Sequence, residues 1–194
     1  MFITFEGIDG SGKSTLIPRV ASWLKREGKK VLCTREPGGT EIGNVIRRAL
    51  LKWYHPCDKT QFLLYMADRA EHVETVITPA LSEGKVVLCD RYIDSTFAYQ
   101  PAVFPITRTS GFASDGLIPN LTILLDLSAE TACKRIAQRE GEQPSEKERK
   151  FLYDVRRKYH SIRTAEPWRI RMIDAEQDAD TVFKEAQKII REVL

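Results

Sequence analysis

The residues best equipped for chemistry lie together near the N-terminus, in FEGIDGSGKSTL (residues 5–16). Three glycines, a lysine and several hydroxyls surround one aspartate, directly after the apolar run Phe2, Ile3, Thr4 and Phe5. From Leu16 the pattern turns helical, with Ile17, Val20, Ala21 and Leu24 at three- and four-residue spacing. A strand that breaks into glycine and re-enters as a helix presents consecutive backbone N–H groups at a positive helix end, which is a cradle for an anion. Gly7, Gly12, Lys13 and Ser14 complete the phosphate-loop pattern G-x-x-x-x-G-K-[ST]. Lys13 would reach the β- and γ-phosphates and the Ser14 hydroxyl would ligate Mg²⁺. The run Gly7, Ile8, Asp9, Gly10, Ser11, Gly12, Lys13, Ser14 and Thr15 is therefore expected to bind a nucleoside triphosphate.

A second carboxylate belongs with such a loop, at the end of an apolar strand, where it holds Mg²⁺ directly or through water. Two strands end that way, VVLCD at Asp90 and TILLD at Asp126. Asp90 is preferred because Arg91 follows it, and a cation beside that carboxylate suits a second phosphate.

These groups must be carried by a scaffold, and strands and helices alternate along the chain. Strands are predicted over 2–6, 30–34, 85–90, 121–126 and 169–173, and helices over 13–27, 41–51, 60–83, 91–99, 128–139, 146–164 and 178–192. Ser128 and Asp178 are expected to start their helices. The alternation predicts an α/β fold, a parallel five-stranded sheet with helices on both faces. Ligands sit at strand C-terminal ends in such sheets, so the irregular stretches 35–40, 100–118 and 139–146 are the places to look. At 194 residues the chain suits one domain.

Composition excludes several classes. A net charge of +3 is too weak to argue for nucleic acid, and no apolar run is long enough to span a membrane. The N-terminus enters a strand without a basic stretch and cleavage site, so no signal peptide is expected. The four cysteines, Cys33, Cys57, Cys89 and Cys133, lack paired spacing, and three lie in apolar or amphipathic runs. Buried, reduced thiols and a cytoplasmic location are expected. Between Lys134 and Arg171 twelve Lys or Arg stand against six Asp or Glu, which a solvated helix face or a basic cover over polyphosphate would explain equally.

Five motifs, FEGIDGSGKST, TREPGGT, MADRAEH, DRYIDSTFAYQ and DGLIPNLT, occur in that order and together resemble the bacterial-type thymidylate kinase family over nearly the whole chain. The resemblance implies a P-loop NTPase fold of the nucleoside monophosphate kinase kind, a single domain over 1–194 with a short lid around 139–147. It implies transfer of the γ-phosphoryl group of ATP to dTMP, with Mg²⁺, by a homodimer joined through helices that flank the sheet. By the same resemblance Asp9 lies near the sugar and phosphate of the acceptor. Arg91 grips the acceptor phosphate, Arg47 is a further phosphate contact, and Glu36 belongs to the turn that approaches it, often through a cis bond to Pro37. Arg69 bonds the thymine carbonyl, Tyr65 stacks on the base in place of the usual Phe, Thr96 and Gln100 bond the base, and Tyr99 lies under the sugar where it excludes a 2′-hydroxyl. Tyr65 and Arg69 are four residues apart and share a helix face, where a ring and a guanidinium could bracket a flat base.

Two places depart from the family pattern. The lid sequence GEQPSEKERKF has no acidic-Arg pair before Phe151, Arg156 and Tyr159, which leaves Arg139 as the expected catalytic arginine, with Arg135 and Arg149 behind it. After AYQ the chain is several residues shorter than its relatives, and Pro101 and Pro105 oppose a regular helix. A guanine-nucleotide switch is excluded by the lack of an N-K-x-D string. A kinase with another nucleoside monophosphate or deoxynucleoside acceptor, or a catalytically weak homologue, remains compatible with these departures.

Overall fold

Five short apolar segments, each bounded by turn residues, become five parallel strands in the computed structural model. The structure describes residues 1–53, 56–100 and 111–194. The strands are β1 (Phe2–Glu6), β2 (Val31–Arg35), β3 (Val86–Asp90), β4 (Leu121–Asp126) and β5 (Ile170–Asp174). They stand in the order β2-β3-β1-β4-β5. β1 is central and buried at every position, which is why it carries no polar alternation. Its register pairs Phe5 with Asp90 on one side and Ile123 on the other. Each strand ends in a charged residue, Glu6, Arg35, Asp90, Asp126 or Asp174. The C-terminal edge of the sheet is therefore a row of ionisable groups at the point where strand order reverses.

Helix α1 (Lys13–Arg26) follows β1 and presses Leu16, Ile17, Val20, Ala21 and Leu24 into the main core. Helix α2 (Glu41–Arg48) starts at Thr40, whose side chain accepts from the Gly43 N–H. Helices α3 (Asp58–His72) and α4 (Thr78–Ser82) precede β3, and α5 (Ile93–Tyr99) follows it. Helices α6 (Ala129–Glu140) and α7 (Glu146–Ala165) lie between β4 and β5, and α8 (Ala179–Arg191) follows β5. Ser128 caps α6 by accepting from the Thr131 N–H, and Asp178 caps α8 by accepting from the Asp180 and Thr181 N–H groups. Ser145 and Glu148 close a reciprocal capping box on α7, a signal legible in the string SEKE.

The strands fall within a residue of their expected places, and the helices differ in three. The helix predicted over 41–51 is α-helical only to Arg48 and continues as a π-helical turn, Ala49–Trp53. The single helix predicted over 60–83 is α3, a π-helical turn at Val73–Ile77, and α4. No Gly or Pro marks that interruption before Pro79, and Arg69, His72, Val73 and Ile77 are buried on either side of and within it. The helix predicted from 91 begins at Ile93, because Arg91 is left-handed (φ 71°). Among the cysteines, Cys89 and Cys133 are buried, whereas Cys33 and Cys57 are exposed; all four are free thiols. Cys33 lies on the edge strand β2 and lines the open cavity along the C-terminal edge of the sheet. The predicted loss of helix at Pro101 and Pro105 lies outside the described residues.

Candidate active site

A cavity of about 1320 Å³ lies along the C-terminal edge of the sheet. At one end is the glycine loop. Gly12 is left-handed (φ 94°) and hands the chain to α1. Gly7 passes so close to β4 that a Cβ there would stand 2.4 Å from Leu125 O. Asp9 to Ile17 line the cavity, while Gly7 and Ile8 stand behind it and offer their carbonyls to Lys13. Lys13 Nζ donates to Gly7 O (2.9 Å), Ile8 O (3.0 Å) and Ser11 Oγ (3.1 Å). Burial, and then the nearby Arg91, push its ammonium down to about 7. Ser14 and Thr15 are exposed.

The two strand-end aspartates have different fates. Asp126 is engaged on both oxygens, by Arg156 Nε and Nη2 (2.8 Å each) and by His160 (2.8 Å). Asp90 lines the cavity, and its Oδ1 is buried without a protein partner. A buried carboxylate oxygen left unsatisfied is expensive, and this one stands beside a loop built for polyphosphate. The residues fit a divalent cation held between Ser14 and Asp90.

In mid-cavity Arg91 projects from its left-handed backbone. Its Nη2 donates to Asp9 Oδ1 (2.7 Å) and Tyr99 Oη (3.1 Å), and its Nη1 to Ser95 Oγ (3.2 Å) and Tyr159 Oη (3.3 Å). Burial works to raise the Asp9 carboxyl, but Arg91 and then Lys13 outweigh it and hold the group below its ordinary range. Phe151 on α7 stacks edge-on against Tyr99, centroids 5.8 Å apart, and also lines the cavity.

The far end holds Tyr65, Arg69, Thr96 and Gln100. Arg69 is buried: Nε donates to Glu36 Oε2 (2.9 Å), Nη2 pairs with the same oxygen (2.7 Å) and Nη1 donates to Thr96 Oγ1 (2.9 Å). Gln100 lies just past the end of α5, in extended backbone, so it does not share a helix face with Thr96 and Tyr99. The Glu36-Pro37 bond is cis, and Arg47 Nη1 donates to Pro37 O (2.9 Å). On the lid side Arg139 lines the cavity and donates to Glu140 (2.6 Å). Arg135 also lines it, tied to Gly10 O and Ala175 O, whereas Arg149 turns away to Glu146 and Glu130.

The structure adds supporting residues that sequence reasoning passed over. Asp68 Oδ1 accepts from the Gly38 N–H (2.9 Å), and His72, fully buried, meets Glu36 Oε1 (3.1 Å) and Thr34 Oγ1 (2.6 Å). Burial and then Glu36 raise the Asp68 carboxyl to about 7. Both residues lie within MADRAEH, and the four-residue spacing of Asp68 and His72 was the available signal. Glu6, within FEG, is buried, and burial and then Asp94 raise it to about 7. Its partners could not be read locally.

The thymidylate kinase family model matches residues 5–186. The thymidylate kinase of Symbiobacterium thermophilum is 40% identical, over all of this chain and 94% of that protein. That of Clavibacter michiganensis subsp. michiganensis is 44% identical over 98% and 96%. The crystal structure of thymidylate kinase from Ehrlichia chaffeensis superposes with a TM-score of 0.82, at 31% identity and 98% coverage of each chain. The fold, the phosphate loop and these full-length likenesses agree, and the chain belongs to the thymidylate kinase family.

Proposed function

We propose that the protein transfers the γ-phosphoryl group of ATP to dTMP, giving dTDP and ADP. The observation that carries this reading is one continuous cavity with a phosphate loop at one end, a ring and a guanidinium (Tyr65, Arg69) at the other, and Arg91 between them. A phosphate oxygen is already anionic, so the reaction needs no strong general base. Catalysis consists of in-line positioning and neutralisation of the transferred charge.

Lys13 serves the donor. Its depressed ammonium regains full charge when phosphate oxygens approach, because an added anion favours the charged form. Mg²⁺, held by Ser14 and Asp90, would neutralise donor phosphate charge. Arg91, clamped on Asp9, Ser95, Tyr99 and Tyr159, presents its guanidinium to the acceptor phosphate, with Arg47 beside the REPGGT turn. Tyr65 stacks on the base, and Arg69, Thr96 and Gln100 read its edge. Residues 139–147 act as a lid on a single kinase domain, and Arg139 is the group it brings to the γ-phosphate.

The exposed side chains of Ile42, Val45 and Leu63, on the packed helices α2 and α3, support a homodimer through these helices. Among the described residues no helix is long and apolar enough to cross a membrane. With four free thiols, this supports a cytoplasmic enzyme. The deciding test is a coupled assay with ATP–Mg²⁺ against the common nucleoside and deoxynucleoside monophosphates. dTMP should have the highest kcat/KM; a higher value for any other acceptor overturns the assignment.

A further inference from the structure

We propose that Glu6 is a positioning residue for Arg91, its buried carboxylate orienting the Ser95 and Tyr159 hydroxyls so that both present lone pairs to the guanidinium. The inference rests on the reading of Arg91 as the group that holds the acceptor phosphate.

Glu6 is the last residue of β1 and is wholly buried. Its Oε1 accepts from the Tyr92 N–H (2.7 Å), and its Oε2 accepts from Ser95 Oγ (2.6 Å) and Tyr159 Oη (2.8 Å). The two hydroxyls lie 2.9 Å from each other, and both lie within hydrogen-bond distance of Arg91 Nη1. A hydroxyl has one proton to donate, and a guanidinium can only donate. Both protons must therefore point away from Arg91; each hydroxyl can reach Glu6 Oε2, and one of them can instead donate to the other. The same carboxylate holds the backbone: Tyr92 N–H is bound by Glu6 while Arg91 N–H donates to Phe5 O (3.0 Å). Residue 91 is thus pinned on both sides in a conformation that side chains rarely adopt (φ 71°). A glutamine at position 6 would offer one acceptor oxygen and an NH₂ group that itself needs acceptors. With its oxygen kept on the Tyr92 N–H, the NH₂ would face the two hydroxyls; one could donate to the other, the remaining proton would turn toward Arg91, and the guanidinium would swing from its place.

The test is steady-state kinetics on Glu6→Gln, Tyr159→Phe, the double variant and Arg91→Ala, each with ATP and dTMP varied in turn. Glu6→Gln should raise KM for dTMP about tenfold and leave KM for ATP within about twofold. Tyr159→Phe keeps the buried ring and loses one hydroxyl, and should raise KM for dTMP about threefold. The double variant should fall short of the product of the two, since both act through one hydroxyl pair. Equal rises in both KM values, or a fully multiplicative double variant, would overturn the proposal. Should Glu6→Gln fail to fold, Tyr159→Phe decides alone, with an unchanged KM for dTMP as the overturning result. Arg91→Ala separates the two readings. If it leaves KM for dTMP unchanged, the role of Arg91 falls. If it raises that KM while Glu6→Gln does not, only the role of Glu6 falls.

Discussion

At the phosphate-loop end of the cavity, Lys13 reaches its three acceptors across no more than six residues of chain; at the far end, Arg69 joins Glu36 and Thr96 across 33 and 27. The phosphate-loop end is a local device, a strand, a glycine turn and a helix start in one uninterrupted run. The far end is assembled from the β2–α2 turn, α3, α5 and α7, and exists only once the sheet has formed. A local device fails when one residue is removed, whereas an assembled one loses function by degrees, because its members support one another.

The largest effect should follow Lys13→Ala. With the loop's only side-chain cation gone, kcat should fall by about 10² or more with the fold intact by circular dichroism. Near-normal turnover would end the phosphate-loop mechanism and with it the contrast between the two ends.

The strand-end aspartates test the metal assignment. Asp90→Asn should shift the Mg²⁺ dependence of the rate upward by about tenfold. Asp126→Asn should leave that dependence unchanged and lower stability instead, because Arg156 and His160 lose their carboxylate. A Mg²⁺ shift in Asp126→Asn alone would exchange the two roles.

At the acceptor end Tyr99→Ala should narrow the preference for dTMP over its ribose counterpart. If the ring lies under C2′, a ribose hydroxyl there is buried without a partner, which costs about 1–3 kcal/mol and gives tenfold to hundredfold rejection. Equal use of both acceptors by the unmodified enzyme would leave Tyr99 as a packing residue, and the kinase reading would stand without its deoxy preference.

The smallest effect concerns Asp68, which supports the turn without touching the cavity. Its carboxyl is raised to about 7 in the folded protein. Between the ordinary aspartate value and about 7 the folded state therefore retains a proton that the unfolded chain has released, and stability falls as pH rises through that window. Asp68→Asn keeps an acceptor for the Gly38 N–H and removes the titration. Relative to the unmodified protein, the variant's urea midpoint should rise between about pH 4.5 and about pH 7.5. A difference between the two proteins that does not change with pH would show that Asp68 is not titrating there.

Much of the fold was legible because period and punctuation are local properties. Strands were set by short apolar runs, and the starts of α6 and α8 by Ser128 and Asp178, whose caps act over two or three residues. The phosphate loop was legible for the same reason. The π-helical turns were not, since nothing in residues 60–78 breaks a helix. Sequence preferred Asp90 to Asp126 only through its neighbour Arg91, since the two end equally apolar strands. Only the placement of Arg156 and His160 over β4 neutralised one and left the other facing the cavity. Glu6 is the extreme case, meeting Tyr159 across 153 residues. Types and spacings along the chain determined a phosphate loop at the end of the central strand. Which carboxylates are spent on structure and which remain for chemistry was decided by the tertiary fold, because the partners that satisfy a buried charge come from distant parts of the chain.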